Sequence, residues 1–164
     1  MNHIKTTPRN SRRRRSRALT ESEVIAKALS ILDHRCFKRG EQLYEPSLVS
    51  DYLKLRLARN KSEVFGVVFM DTKLRVLKFE VLFHGTIDTC KIYPREVVKR
   101  ALALNASAVV LTHNHPSGST DPSPADHDIT RCLKQALELI DVTVIDHFII
   151  GKGQPYSFAD NRQL

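Results

Sequence analysis

Three short stretches of this chain are apolar almost throughout, and helical patterns lie between them. Residues 63–70 read EVFGVVFM, residues 108–112 read AVVLT, and residues 142–150 read VTVIDHFII. A strand with apolar residues on both faces needs cover on both faces, and such runs are typical of buried strands. Leu74 to Phe83 reads as a further strand, joined to the first through a turn at Asp71-Thr72-Lys73, which predicts a hairpin. Pro94 opens a helix through Val97, Val98, Ala101 and Leu104 that ends at Asn105. Ser123-Pro124-Ala125-Asp126 opens another, through Ile129, Leu133, Ala136, Leu137 and Ile140. Strands interleaved with helices predict an α/β fold: a mixed sheet flanked by helices on both faces.

The amino-terminal third is helical in pattern. Thr20-Glu21-Ser22-Glu23 is a T-x-x-E capping box, followed by Val24, Ala28, Leu29, Ile31 and Leu32, with Gly40 as a stop. This predicts an N-terminal helix within 19–40. Pro46-Ser47 opens a second helix through Leu48, Tyr52, Leu55 and Leu57, ending near Asn60. The full length of 164 residues suits one domain.

Net charge is +8, but its placement matters more than its size. Lys5, Arg9, Arg12, Arg13, Arg14, Arg15 and Arg17 all fall within residues 1–17, where no acid stands. Those seven charges leave a net of only +1 on the rest of the chain. Residues 1–18 are therefore expected to be a disordered basic tail, with Arg12 to Arg15 available for non-specific contact with nucleic acid phosphates. Cys36, Cys90 and Cys132 are few, odd in number and lack C-x-x-C spacing. That argues for a reducing compartment and against thiolate zinc sites. No apolar run is long enough to span a membrane, and no apolar signal segment follows the basic start. The expected location is cytoplasmic.

The chemistry concentrates where AVVLT ends. His113-Asn114-His115-Pro116 is followed by six residues and then Ser123-Pro124-Ala125-Asp126. Residues i and i+2 of extended chain point to one side, so His113 and His115 can converge while Asn114 faces away. Pro116 keeps the residue before it out of helix, and Gly118 permits a sharp return. Asp126, in the first turn of the next helix, can bring a carboxylate back to the same point. Two nitrogens, one oxygen and a water make an open tetrahedral zinc site of the catalytic kind. Taken singly, H-x-H reads as surface histidines and S-x-x-D as a capping box with proline at N1. Their conjunction at a strand exit and a helix entrance favours a metal.

H-x-H-P, six residues, then S-x-x-D resembles, without gaps, the JAMM signature of MPN+ metalloproteases. HNHPSG, with YPREVVKRAL before it and VIDHFIIG after it, is similar to the bacterial RadC (UPF0758) branch. The resemblance extends from about Pro46 to near Phe158 and implies a RadC-like JAMM/MPN+ domain over 43–164. The fold implied is three-layered and related to cytidine deaminases. The resemblance further implies Zn²⁺ held by His113, His115 and Asp126, with Ser123 steadying the oxyanion. It makes Glu63, in Glu63-Val64-Phe65-Gly66, the general base that takes a proton from the metal's water. Glu80, in the paired strand, is the competing candidate, and Glu63 is preferred. His147 reads either as a residue orienting a ligand or as a satisfied core histidine. Cys132, among apolar helix neighbours, is expected in the core.

The leading function is a zinc-dependent hydrolase acting on a peptide or isopeptide bond of an unidentified peptide or protein substrate. The alternative is a RadC-like, DNA-associated accessory protein, in repair or recombination, with a non-catalytic metal. Deleting residues 1–17 separates the two, since DNA binding should leave with the tail and peptidase activity should not. A zinc deaminase needs H-x-E and P-C-x-x-C, and neither is present.

Overall fold

The computed structural model describes residues 18–36, 46–85 and 91–164. The expected tail, apart from Ala18, and the expected stop at Gly40 lie outside the described residues. Helices α1 (Glu21–Cys36) and α2 (Pro46–Leu57) come first. They are followed by β1 (Val64–Met70), β2 (Val76–His84), α3 (Pro94–Ala103), β3 (Ala108–Asn114), α4 (Pro124–Glu138), β4 (Thr143–Ile150) and β5 (Tyr156–Ser157). At the start of α1 the capping box closes in both directions. The Thr20 amide donates to Glu23 Oε2 at 2.7 Å, and the Glu23 amide donates to Thr20 Oγ1 at 3.3 Å.

The strands form one sheet in the order β2-β1-β3-β4-β5. β1 runs antiparallel to both β2 and β3, β3 is parallel to β4, and β4 is antiparallel to β5. The sheet is therefore mixed, as the alternation of patterns predicts. Both faces of the central strands β1 and β3 are buried, and residue parity sorts the core into two layers. Val64, Val68, Met70, Ala108 and Val110 face α2, whose Leu48, Val49, Leu53 and Leu57 complete one apolar cluster. Phe65, Val67, Phe69, Val109 and Leu111 face the other way, onto Val97 and Ala101 of α3 and Leu133 and Leu137 of α4. A continuous apolar run is what such a strand requires, and β1 is buried at every position.

Three expectations need correction. β2 begins at Val76 rather than Leu74, because Asp71 organises a longer turn. Its Oδ1 accepts from the Lys73 and Arg75 amides at 2.9 and 3.0 Å, and Leu74 takes a left-handed φ of 56°. β3 runs on through His113 and Asn114, since β1 and β4 both continue the ladder beside it: His113 pairs with Phe65 on one side and Ile149 on the other. Cys132 is exposed, not in the core. The buried stripe of α4 is Asp126, Thr130, Leu133 and Leu137, and Cys132 lies one residue, about 100° of helix rotation, out of phase with Leu133.

Between β3 and β4 the register slips by one residue: Val109 pairs with Val144, but Val110 pairs with Asp146. Ile145 is thus an extra residue in β4, and it packs toward the α2 layer. A one-residue slip exchanges the two faces of everything that follows. Val144 belongs to the α3–α4 layer, whereas Phe148 and Ile150 belong to the α2 layer. His147 is left facing α4. Among the described residues, no helix is long and apolar enough to cross a membrane.

Candidate metal centre

The carboxyl end of β3 and the amino end of α4 meet at one point, and three side chains converge there. His113 Nε2 lies 3.0 Å from His115 Nε2 and 3.1 Å from Asp126 Oδ1. His115 Nε2 lies 3.5 Å from Asp126 Oδ2. A tetrahedral zinc with ligands at about 2.0–2.1 Å needs ligand atoms about 3.3–3.4 Å apart. The nitrogen–nitrogen and nitrogen–oxygen contacts lie near that value, with His113 facing Oδ1 and His115 facing Oδ2, so two imidazoles and a carboxylate fit the ion in chemistry. His113 and Asp126 are buried, and His115 is half-buried, so the group has a dry back and a wetter front.

Local structure explains the convergence. His113 lies within the strand, and His115 just beyond it still donates its amide to the Ile150 carbonyl at 2.9 Å. The loop then folds back: the Gly118 amide donates to the His115 carbonyl, and the Lys152 amide to the Gly118 carbonyl, both at 2.9 Å. Gly118 has a φ of 93°, which a side chain would strain. At Gly151 a Cβ would stand 2.5 Å from the Gly118 carbonyl oxygen, so the loop closes against bare backbone.

Asp126 is fixed by the capping box. The Ser123 amide and hydroxyl both donate to Asp126 Oδ2 at 2.7 Å, and the Asp126 amide donates back to Ser123 Oγ at 3.2 Å. One residue thus caps the helix and presents a carboxylate to the histidines. Burial pushes the Asp126 carboxyl up, but its contacts with His113, His115 and the Ser123 hydroxyl outweigh it and hold it well below the usual carboxylate range. The hydrogen bond to Asp126 raises His115, against the opposing effect of burial.

Glu63 immediately precedes β1, two residues before the partner of His113. Burial raises its carboxyl; charge on His113 and His115 opposes that, and the charge on Asp126 adds to it. Its field therefore overlaps the three converging groups. Asn114, buried between the two histidines but facing away from them, secures this segment. Its Oδ1 accepts from the Val64 amide at 2.9 Å, and its Nδ2 donates to the Ser62 carbonyl at 3.2 Å. The Gly85 amide holds the Glu63 carbonyl at 2.8 Å. Glu80 stands elsewhere: Arg100 grips it through Nε and Nη2, and Lys78 Nζ lies 2.7 Å from it. The Arg100 hydrogen bond, against a smaller effect of burial, brings its pKa down to about 2.

Two further residues were not singled out, or not placed, by sequence. His147 is completely buried, with its Nε2 2.9 Å from His113 Nδ1 and its Nδ1 2.6 Å from Thr130 Oγ1. Its ring stacks on Phe158 at 5.0 Å and meets the edge of Phe65 at 5.7 Å. Burial, then the nearby His113, drives its pKa well below the ordinary histidine value. Thr130 lies four residues after Asp126, on the same helix face, and that spacing was the available signal. Beside them Asp146 accepts from Ser157 Oγ at 2.6 Å and the Ala159 amide at 3.0 Å, which ties the carboxyl-terminal segment to β4.

The chain is similar in sequence to known proteins. Residues 43–164 match the family model described as RadC-like JAB domain. A UPF0758 protein of Stutzerimonas stutzeri is 60% identical over 123 residues, which cover 75% of this chain and 55% of that protein. One of Azotobacter vinelandii is 58% identical over 127 residues, covering 77% and 57%. One of Xylella fastidiosa is 53% identical over 127 residues, again covering 77% and 57%. The chain spans somewhat more than half the length of these curated relatives.

Proposed function

The chain belongs to the RadC-like JAB domain family, and on that premise we propose that it is a zinc-dependent hydrolase of peptide or isopeptide bonds. The observation that carries the reading is the convergence of two imidazoles and one carboxylate: His113 Nε2 lies 3.0 Å from His115 Nε2 and 3.1 Å from Asp126 Oδ1, and His115 Nε2 lies 3.5 Å from Asp126 Oδ2. Zinc held there supplies Lewis-acid polarisation of a carbonyl and brings the pKa of a water to about 7.

The chain's own residues do the rest. Glu63, with its carboxyl raised by burial, is matched to accept a proton from the attacking water and pass it to the leaving amine. Asn114 and Gly85 hold the backbone on either side of that carboxylate, so its position is set by the sheet. Ser123 donates its hydroxyl proton to Asp126 at rest. With Asp126 engaged as a ligand, that hydroxyl would be free to donate to the oxygen of a substrate carbonyl as negative charge develops on it. Glu80, paired with Arg100 and Lys78, is occupied as a structural anion.

A peptide-library cleavage assay with and without chelator tests the reading. The expected result is cleavage that chelator abolishes and zinc restores. Glu63→Gln should keep the metal and lose about 10²–10⁴-fold in turnover. Turnover retained by Glu63→Gln would assign the base elsewhere, and chelator-resistant cleavage would end the zinc mechanism.

A further inference from the structure

We propose that His147 and Thr130 are positioning residues that set the tautomer of His113, leaving its Nε2 lone pair turned toward the point where His115 and Asp126 converge. The inference rests on the metal-site reading above and adds to it the direction in which protons are ordered behind the site.

The order of donors follows from one end of the chain of contacts. Thr130 Oγ1 lies 2.5 Å from the backbone oxygen of Asp126 and 2.6 Å from His147 Nδ1. A carbonyl oxygen only accepts, and two oxygens at that separation need a hydrogen between them. The hydroxyl has one hydrogen, and it is committed to Asp126. Toward His147 the threonine oxygen is therefore an acceptor, and His147 Nδ1 carries a proton.

His147 is fully buried between Phe65 and Phe158, an environment that favours the neutral ring. A neutral imidazole with a proton on Nδ1 has a bare Nε2. That bare nitrogen lies 2.9 Å from His113 Nδ1, so His113 must donate there. His113 then carries its proton on Nδ1, and its Nε2 is the unprotonated nitrogen, 3.1 Å from Asp126 Oδ1. The path closes on itself: the Asp126 main chain fixes the tautomer that would let His113 share a cation with the Asp126 side chain. Metal-binding histidines are commonly oriented through their second nitrogen in this way. Two features of the fold build the path. The extra residue Ile145 turns His147 toward α4, and the four-residue spacing from Asp126 sets Thr130 beside it.

Two measurements on the full chain test this. Long-range ¹H–¹⁵N correlation spectra should show Nδ1-protonated, Nε2-bare patterns for His147 and His113 in the metal-free protein, and for His147 after zinc is added. Chelator competition should show zinc affinity reduced about 10–100-fold by Thr130→Val, which removes the hydroxyl at constant shape. Thr130→Ser should restore it. His147→Gln, whose amide oxygen can accept from His113, should bind zinc more tightly than His147→Phe. A proton on His147 Nε2, or a Thr130→Val chain that folds and binds zinc as tightly as the unsubstituted one, would overturn the proposal. If Thr130→Val does not fold, the spectra of the unsubstituted chain decide. An unsubstituted chain without zinc affinity would instead remove the metal reading, and the metal-free spectra would still report the proton order.

Discussion

Helix α4 meets the sheet twice along one stripe, and the two meetings are unlike. At its carboxyl half, Leu133 and Leu137 are fully buried in an apolar cluster with Val109 and Leu111 of β3. At its amino half, Asp126 and Thr130 continue the same stripe and meet His113 and His147. The lower half buries hydrocarbon and supplies stability. The upper half buries polar groups, which cost free energy unless each finds a partner, and here each does. A strand–helix unit can place chemistry at its upper end because its lower end keeps the two elements together.

The largest effect is expected at the apolar half. Leu137→Ala should cost about 2–5 kcal/mol in chemical denaturation and leave the zinc content of the folded fraction unchanged. A loss of metal without a loss of stability would reverse the division of labour. A second test acts through pH at the polar half. His115 holds its proton more tightly than usual, so proton and zinc compete for the same nitrogen. Zinc affinity should fall as pH drops through that raised value, by about tenfold per pH unit below it for one displaced proton. The sign for the metal-free fold is opposite. A histidine raised in the folded state stabilises at pH values below its unfolded pKa, and that contribution is lost as pH rises through the folded value. His147, lowered by burial, acts the other way and destabilises the fold as pH falls below the ordinary histidine value. Competition titrations across pH check the affinity, and denaturation of the metal-free chain checks the stability. Affinity independent of pH would show that the ion displaces no proton from His115.

The smallest expected effect distinguishes the two glutamates. Glu80→Gln removes a partly exposed ion pair and should cost about 0.2–1 kcal/mol, with no change in metal content or cleavage. Glu63→Gln should show the converse, near-native stability with turnover lost. Similar behaviour of the two would dissolve the distinction between structural and reactive carboxylates.

The sequence carried the apolar half and the three converging residues well. Unbroken apolar runs at 64–70 and 108–112 left little choice but a sheet covered twice, and H-x-H at a strand exit with S-x-x-D at a helix entrance is a local pattern. What it could not carry is non-local or turns on a single residue. Nothing in VTVIDHFII marks Ile145 as the extra residue, and without that slip His147 would face the α2 layer. Asn114 was expected to face away from the two histidines, and it does. That it secures the segment bearing Glu63 depends on pairing between residues fifty positions apart. Cys132 was misplaced because its neighbours are apolar while its own helical phase points outward. The ion pair of Glu80 with Arg100 joins β2 to α3, which no local pattern announces.

Elemental analysis of the purified chain beside His115→Ala and Asp126→Ala tests the central claim most directly. About one zinc per unsubstituted chain is expected and almost none in either variant, with circular dichroism showing both still folded. Full zinc in either folded variant would contradict it, because the ion would then be held somewhere other than where the end of β3 meets the start of α4.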